Sequence, residues 1–156
     1  LHSVDEENSN FDTEDEEKSR RISTTMHLGY SVWNKCKINF IDTPGDLNFQ
    51  ADVRYAMEAV DVGLVLVSAV DGVEVGTEKT FSLLASYDLP RAIVINKMDR
   101  EHANFDKTLA DIQSALEVRP TILTLPIGDA ANFQGVVDIV TQAIGGVRCF
   151  GHHAAP

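Results

Sequence analysis

Residues 62–70, VGLVLVSAV, decide the fold class. The run is almost unbroken apolar sequence, too short to cross a bilayer and of strand length. A strand buried on both faces reads this way, and such strands belong to parallel sheets. Working outward, CKINFID at 36–42, RAIVIN at 91–96 and TILTLPI at 121–127 read as further strands. Helical spacing fills the intervals. Phe49, Val53, Ala56 and Val60 follow steps of four, three and four. Phe81, Leu84 and Ala85 mark the inner face of a helix over 77–88, which Leu89-Pro90 stops. Asn104 can cap a helix whose apolar face is Phe105, Leu109, Ile112 and Leu116. Strands alternating with helices of this length imply right-handed βαβ units: an α/β fold with a doubly wound, mostly parallel sheet covered on both sides. Residues 24–34 suit an edge strand that pairs with 36–42 as a hairpin through Asn34-Lys35.

The chain has 156 residues, which suits one hydrophobic core; 44% are hydrophobic and 24% charged, an ordinary globular composition. A net charge of −11 argues against a general grip on nucleic acid or anionic membrane, and no direct sequence-specific nucleic-acid binding is expected. Much of that charge lies in residues 1–19, which have no apolar period and read as an acidic, mobile segment. Cys36 and Cys149 fit no metal or redox spacing, so reduced thiols and a cytoplasmic setting are expected, with no membrane partner. His152 and His153, close to Cys149, lack the further ligands a metal needs and read as a floppy tail. Tyr30 and Trp33 read as edge-strand packing, because no basic groove accompanies them. The start at Leu1, without an initiator Met, reads as that of a piece of a longer protein or of a trimmed product.

In open α/β sheets, ligands bind beyond the carboxyl ends of the strands, and two short motifs sit there. The first is Asp42-Thr43-Pro44-Gly45. An acid at a strand end can hold Mg²⁺ through water, and Gly45 lets a backbone N–H approach a terminal phosphate with no Cβ in the way. A plain strand-ending Pro-Gly turn is the bland alternative. The second is Asn96-Lys97-Met98-Asp99. A carboxylate accepts two hydrogen bonds at once; guanine offers the matching N1–H and exocyclic amine, and adenine does not. Asp99 would therefore select guanine. The Lys97 stem can lie over the base with its ammonium in water, and Asn96 can tie neighbouring loops together.

Both motifs, with the spacing between them, resemble the third and fourth guanine-nucleotide motifs of translational GTPases. Within that group the chain looks most like elongation factor G. SAVDGVEVGTEKTF at 68–81 and INKMDREHANFDKTL at 95–109 are similar to its pattern, and LPIGDAANFQGVVDIV at 125–140 resembles the entry to the inserted subdomain that elongation factor Tu lacks. The resemblance implies a P-loop NTPase-like sheet, GTP or GDP and Mg²⁺ as ligands, GTP hydrolysis by the parent protein, and the ribosome as partner. It divides the chain into the acidic segment at 1–19, a partial GTPase core at 20–126, and the start of the inserted subdomain with a tail at 127–156. RRIST at 20–24 aligns with the first switch, putting Ser23 where the family has a Mg²⁺-binding Thr and Arg21 where a Gly is usual.

Two departures stand out. No G-x-x-x-x-G-K-[ST] occurs anywhere in the chain, so the first strand, the phosphate loop and the first helix of the family fold are absent from it. Their loss would strip two strands of a ladder partner and expose apolar surface, so the segment alone is expected to be marginal, inactive and prone to aggregate. Asp46 stands where the resemblance places a His that positions the attacking water. A carboxylate there would repel phosphate and accept a proton poorly at neutral pH. Asp46 as the amino-terminal cap of a helix beginning near Leu47 is the physically easier reading. The rival to the enzyme is a degenerate, non-catalytic relative acting as a ribosome- or protein-binding module. Asp46, Ser23 and the absent loop speak for it, and the intact Asn96-Lys97-Met98-Asp99 speaks against it.

Overall fold

The computed structural model describes residues 22–142 together with 17, 19, 144 and 145. The chain divides into two compact units, Leu1–Gly63 and Leu64–Pro156.

In the first unit, β1 (His27–Trp33) and β2 (Cys36–Asp42) form the expected antiparallel hairpin, in a register that sets His27 opposite Asp42 and Trp33 opposite Cys36. Asn34 and Lys35 make its two-residue turn at φ 46° and 65°. Positive φ at both central positions gives the twist that a tight hairpin needs, and Asn tolerates it better than most residues. Past Asp42 the chain reaches a 3₁₀ turn at Leu47–Phe49 and then α1 (Gln50–Met57). Asp52 in the first turn of α1 accepts a 3.0 Å hydrogen bond from the Met26 N–H, tying the helix to the approach to β1. Val53, Ala56 and Met57 are its buried residues. Val60 falls beyond the helix, whose end closes with tighter bonds from Glu58 N–H to Tyr55 O and Ala59 N–H to Ala56 O.

The second unit takes in β3 (Gly63–Ser68) from Leu64 onward, then α2 (Val75–Ser86) and β4 (Arg91–Asn96). The strands are neighbours in a two-stranded sheet. Ala69 N–H, just past β3, donates to the carbonyl of Asn96 at the end of β4. The carboxyl ends therefore lie side by side and the strands run the same way, with α2 as the crossover. The Thr77 hydroxyl reaches back to the Glu74 N–H at the start of α2, and Asp88, at φ 54°, ends its last turn ahead of Pro90. α3 (Phe105–Ala115) is capped as expected by Asn104, whose side chain accepts from the Lys107 N–H at 2.8 Å, and Ile112 is its most buried apolar residue. The turn after β3 is pinned to α3. The Asp111 carboxylate takes the Val73 N–H at 2.7 Å and leaves no room for a Cβ at Gly72, whose φ of 76° favours glycine as well.

Three expectations are corrected. TILTLPI becomes β5 (Thr124–Ile127), which pairs antiparallel with β6 (Gly135–Asp138); β6 pairs in turn with β7 (Ile144–Gly145). The connection from Ile127 to Gly135 is far too short for a parallel crossover, and Gly128 at φ 74° starts the reversal. Among the described residues, one mostly parallel sheet is therefore replaced by three small ones, two of them antiparallel. Second, β3 is not buried on both faces: Val65 and Val67 are buried, whereas Leu64 and Leu66 are 53% and 61% exposed. An apolar run reveals that a strand can be covered, not that this chain supplies the cover. Third, the hairpin is open. Ile38 and Phe40 of β2 are exposed, and so are Tyr30 and Trp33, so neither aromatic packs an edge strand; Tyr30 instead carries the Lys37 ammonium 4.7 Å from its ring centre. Ala85 of α2 is likewise exposed, leaving Leu84 as that helix's buried residue.

Exposed Leu28, Tyr30, Val32, Trp33, Leu64 and Leu66 are a liability in water. Heating the purified chain is expected to give a broad transition that does not reverse on cooling. A sharp, reversible melt would contradict this.

Candidate functional site

The candidate residues fall into two groups, one in each unit. In the first unit the ends of β1 and β2 set the geometry. Asp42 is the last residue of β2 and is exposed; Thr43 is half-buried, Pro44 is buried and Gly45 is exposed. Nothing lies within 4 Å of where a Cβ on Gly45 would sit, and its φ is outside the left-handed region. Neither packing nor backbone conformation among the described residues requires glycine here. Asp46 is the cap of the following 3₁₀ turn. Its Oδ1 accepts from the Asn48 N–H and from the Asn48 side-chain amide, both at 2.8 Å. Its charge is spent on that turn.

Ser23 is half-buried on the approach to β1. The segment beyond it is held by Glu17, which sequence reasoning placed in the acidic mobile stretch. The structure buries it completely, at 0% exposure. Burial of a carboxylate is tolerable only when its oxygens are occupied. Oε1 accepts from Thr24 N–H at 2.8 Å, Thr25 N–H at 3.1 Å and both threonine hydroxyls at 3.2 and 3.3 Å, while Oε2 lies 3.4 Å from His27 Nε2. One acid within an acidic run does not stand out in sequence; the pair of threonines seven and eight residues later was the available signal. Arg21, Cys149, His152 and His153 lie outside the described residues.

In the second unit, Asn96 ends β4 and Lys97 turns the chain at φ 61°. The Asn96 main-chain carbonyl takes the Ala69 N–H at 2.9 Å, a bond that any residue there could accept. Lys97 O then accepts from Arg100 N–H at 3.1 Å, closing a turn that presents Lys97 exposed and Asp99 half-buried. Met98 between them points inward: it is buried with Ala69 and Ala103, packed against Ile95, Phe105 and Phe133. Its carbonyl takes the Ala130 N–H at 2.9 Å from the loop joining β5 to β6. Ala69 O is shared by the Asn104 N–H and the Thr108 hydroxyl, at 3.1 and 3.2 Å. Three segments thus hold this loop from behind and leave its polar side chains outward. Met98, Thr108 and Ala130 are the residues sequence reasoning missed; Met98 was readable as the one apolar position in a polar motif.

The family described as elongation factor Tu GTP binding domain matches residues 2–148. The chain belongs to this family. It is 39% identical over 137 residues to elongation factor G 2 of Borreliella burgdorferi, covering 88% of this chain and 20% of the relative. Elongation factor G of Mycoplasma genitalium is 35% identical over 132 residues, covering 85% and 19%, and that of Dehalococcoides mccartyi 34% over 156, covering 100% and 22%. A crystal structure from Thermus thermophilus superimposes with a TM-score of 0.79 at 30% identity, over 88% of this chain and 20% of that one. The chain therefore spans about a fifth of the length of the relatives it matches. The chain is thus a segment similar to elongation factor G within a family of GTP-binding domains. Among the described residues, no helix is long and apolar enough to cross a membrane.

Proposed function

We propose that this segment supplies guanine recognition and the Mg²⁺ side of a GTPase of the elongation factor G type, whose full-length form hydrolyses GTP at a ribosomal step such as translocation. The observation that carries the reading is the Asn96–Asp99 loop. It is fixed by a buried Met98 and by main-chain bonds to Ala69 and Ala130, with Lys97 and Asp99 left for a ligand. A turn that merely capped α3 would not need this support, because Asn104 already caps it. In this reading Asp99 accepts the guanine N1–H and amine, Lys97 covers the base, and Asn96 holds the loop to Ala69. Asp42, Thr43, Pro44 and Gly45 attend the terminal phosphate, with the Gly45 N–H as donor.

Ser23 and Asp42 suit Mg²⁺ chemically, since a hydroxyl and a carboxylate are the hard oxygen donors that this ion prefers. Bound there, the ion would offset phosphate charge. The chain's own contribution is to place the two oxygens, Asp42 at the end of β2 and Ser23 just ahead of β1. The doubly wound P-loop fold would be completed by the strand, phosphate loop and helix that this sequence does not contain. Residues 1–19 would be the switch side, 20–126 the partial core and 127–156 the start of the inserted subdomain.

The reading fixes what the segment does alone. Two charge-assisted bonds at Asp99 contribute roughly 3–6 kcal/mol. Lost translational and rotational freedom costs at least about 4 kcal/mol. The remainder is millimolar affinity or weaker. Titrating the isolated chain into fluorescent GDP should show no saturation at micromolar concentrations. Tight binding there would overturn the division of labour between this segment and a phosphate loop. Capture of the chain by ribosomes, indifferent to GTP, would favour the binding module instead.

A further inference from the structure

Glu17 has no part in the roles assigned above, yet it is the most completely enclosed charged group among the described residues. Its neighbours are not arbitrary. Thr24 and Thr25, whose N–H groups meet Oε1 at 2.8 and 3.1 Å, directly follow Ser23. His27, 3.4 Å from Oε2, stands opposite Asp42 in the hairpin register. One carboxylate thus holds the backbone on one side of Ser23 and the strand position across from Asp42. We infer that Glu17 is a positioning residue that sets the spacing of the Ser23 and Asp42 oxygens for a divalent cation, an inference that rests on the function proposed above.

The physical basis is the number of donors on one acceptor. Four N–H and O–H groups converge on Oε1, which fixes two consecutive peptide planes rather than a single side chain. Removing the carboxylate takes away the acceptor shared by these partly buried donors, and the peptides turn to find other acceptors. Ser23 turns with them. The base-reading loop in the other unit makes none of these bonds.

The test uses the full-length protein, with Glu17→Ala and Glu17→Gln beside the unaltered form. The readouts are the Mg²⁺ concentration that half-maximally slows release of a fluorescent GTP analogue, and GDP affinity in excess EDTA. Glu17→Ala should raise the Mg²⁺ midpoint roughly tenfold, an effect of about one lost hydrogen bond. GDP affinity in EDTA should stay within about twofold, because base recognition does not depend on this cluster. Glu17→Gln keeps an oxygen acceptor for both threonines and should recover the midpoint to within about threefold. An unmoved midpoint in Glu17→Ala overturns the inference. So does a parallel loss of EDTA-resistant GDP binding, which would mark a merely structural role. If the unaltered protein binds no GDP at all, the proposed function fails and this inference with it. Normal GDP binding with an unmoved midpoint sinks the inference alone.

Discussion

In the full-length protein, Asp99→Asn is expected to weaken GDP and GTP binding by roughly two to four decades, the equivalent of about 3–6 kcal/mol. In the proposed role the carboxylate accepts from both guanine donors. An amide accepts from one and turns its own NH₂ toward the other, so a bond is lost and a donor faces a donor. The same geometry makes a second forecast with the opposite sign. Xanthine carries a carbonyl where guanine carries its amine, so the amide introduced by the substitution would match it. Xanthosine nucleotides should gain on the variant what guanosine nucleotides lose. Competition binding with GDP, XDP and ADP checks this. The fold should tolerate the change, since Asp99 is half-buried at the outward side of a loop held by Met98 and Ala130. Equal losses for all three nucleotides would show a damaged loop rather than an altered reader.

Asp46→His should accelerate ribosome-stimulated hydrolysis in the full-length protein by at least about tenfold. Were the carboxylate about 4 Å from one phosphate charge at an effective dielectric near 20, relief of repulsion alone would give about 4 kcal/mol. That is nearly three decades and bounds the gain from above. The observed cap makes the real gain smaller, because Asp46 already directs its Oδ1 to two donors on Asn48. The rest comes from an imidazole with an ordinary pKa near 6.5, suited to orient a water where a carboxylate is not. Stability should fall by about 1 kcal/mol through the lost cap, read by chemical denaturation. An unchanged or slower rate would count against the idea that this protein is a slow or differently triggered paralogue.

Much of this was legible because periodicity reports burial locally. The steps Phe105, Leu109, Ile112 and Leu116 gave α3, and Asn104 gave its cap, since both depend only on residues within a few turns. Asn34-Lys35 gave the hairpin for the same reason. What an apolar run lacks is the identity of its neighbour. TLPI is a strand whether its partner runs with it or against it, and only the short return through Gly128 decides. LVLV likewise does not say that one face stays open. The polar site divided along the same line. Asp42, Gly45, Asn96, Lys97 and Asp99 stood out by motif. Glu17 did not, because its burial depends on donors from Thr24 and Thr25, beyond a tract that reads as solvated.

The hydrogen bond from Ala130 to the Met98 carbonyl has a mechanical side. Ala130 lies in the short bend that launches β6, so the antiparallel sheet and the specificity loop share a tether one peptide long. Any displacement of that sheet would therefore pull on the Asn96–Asp99 loop through a single peptide group.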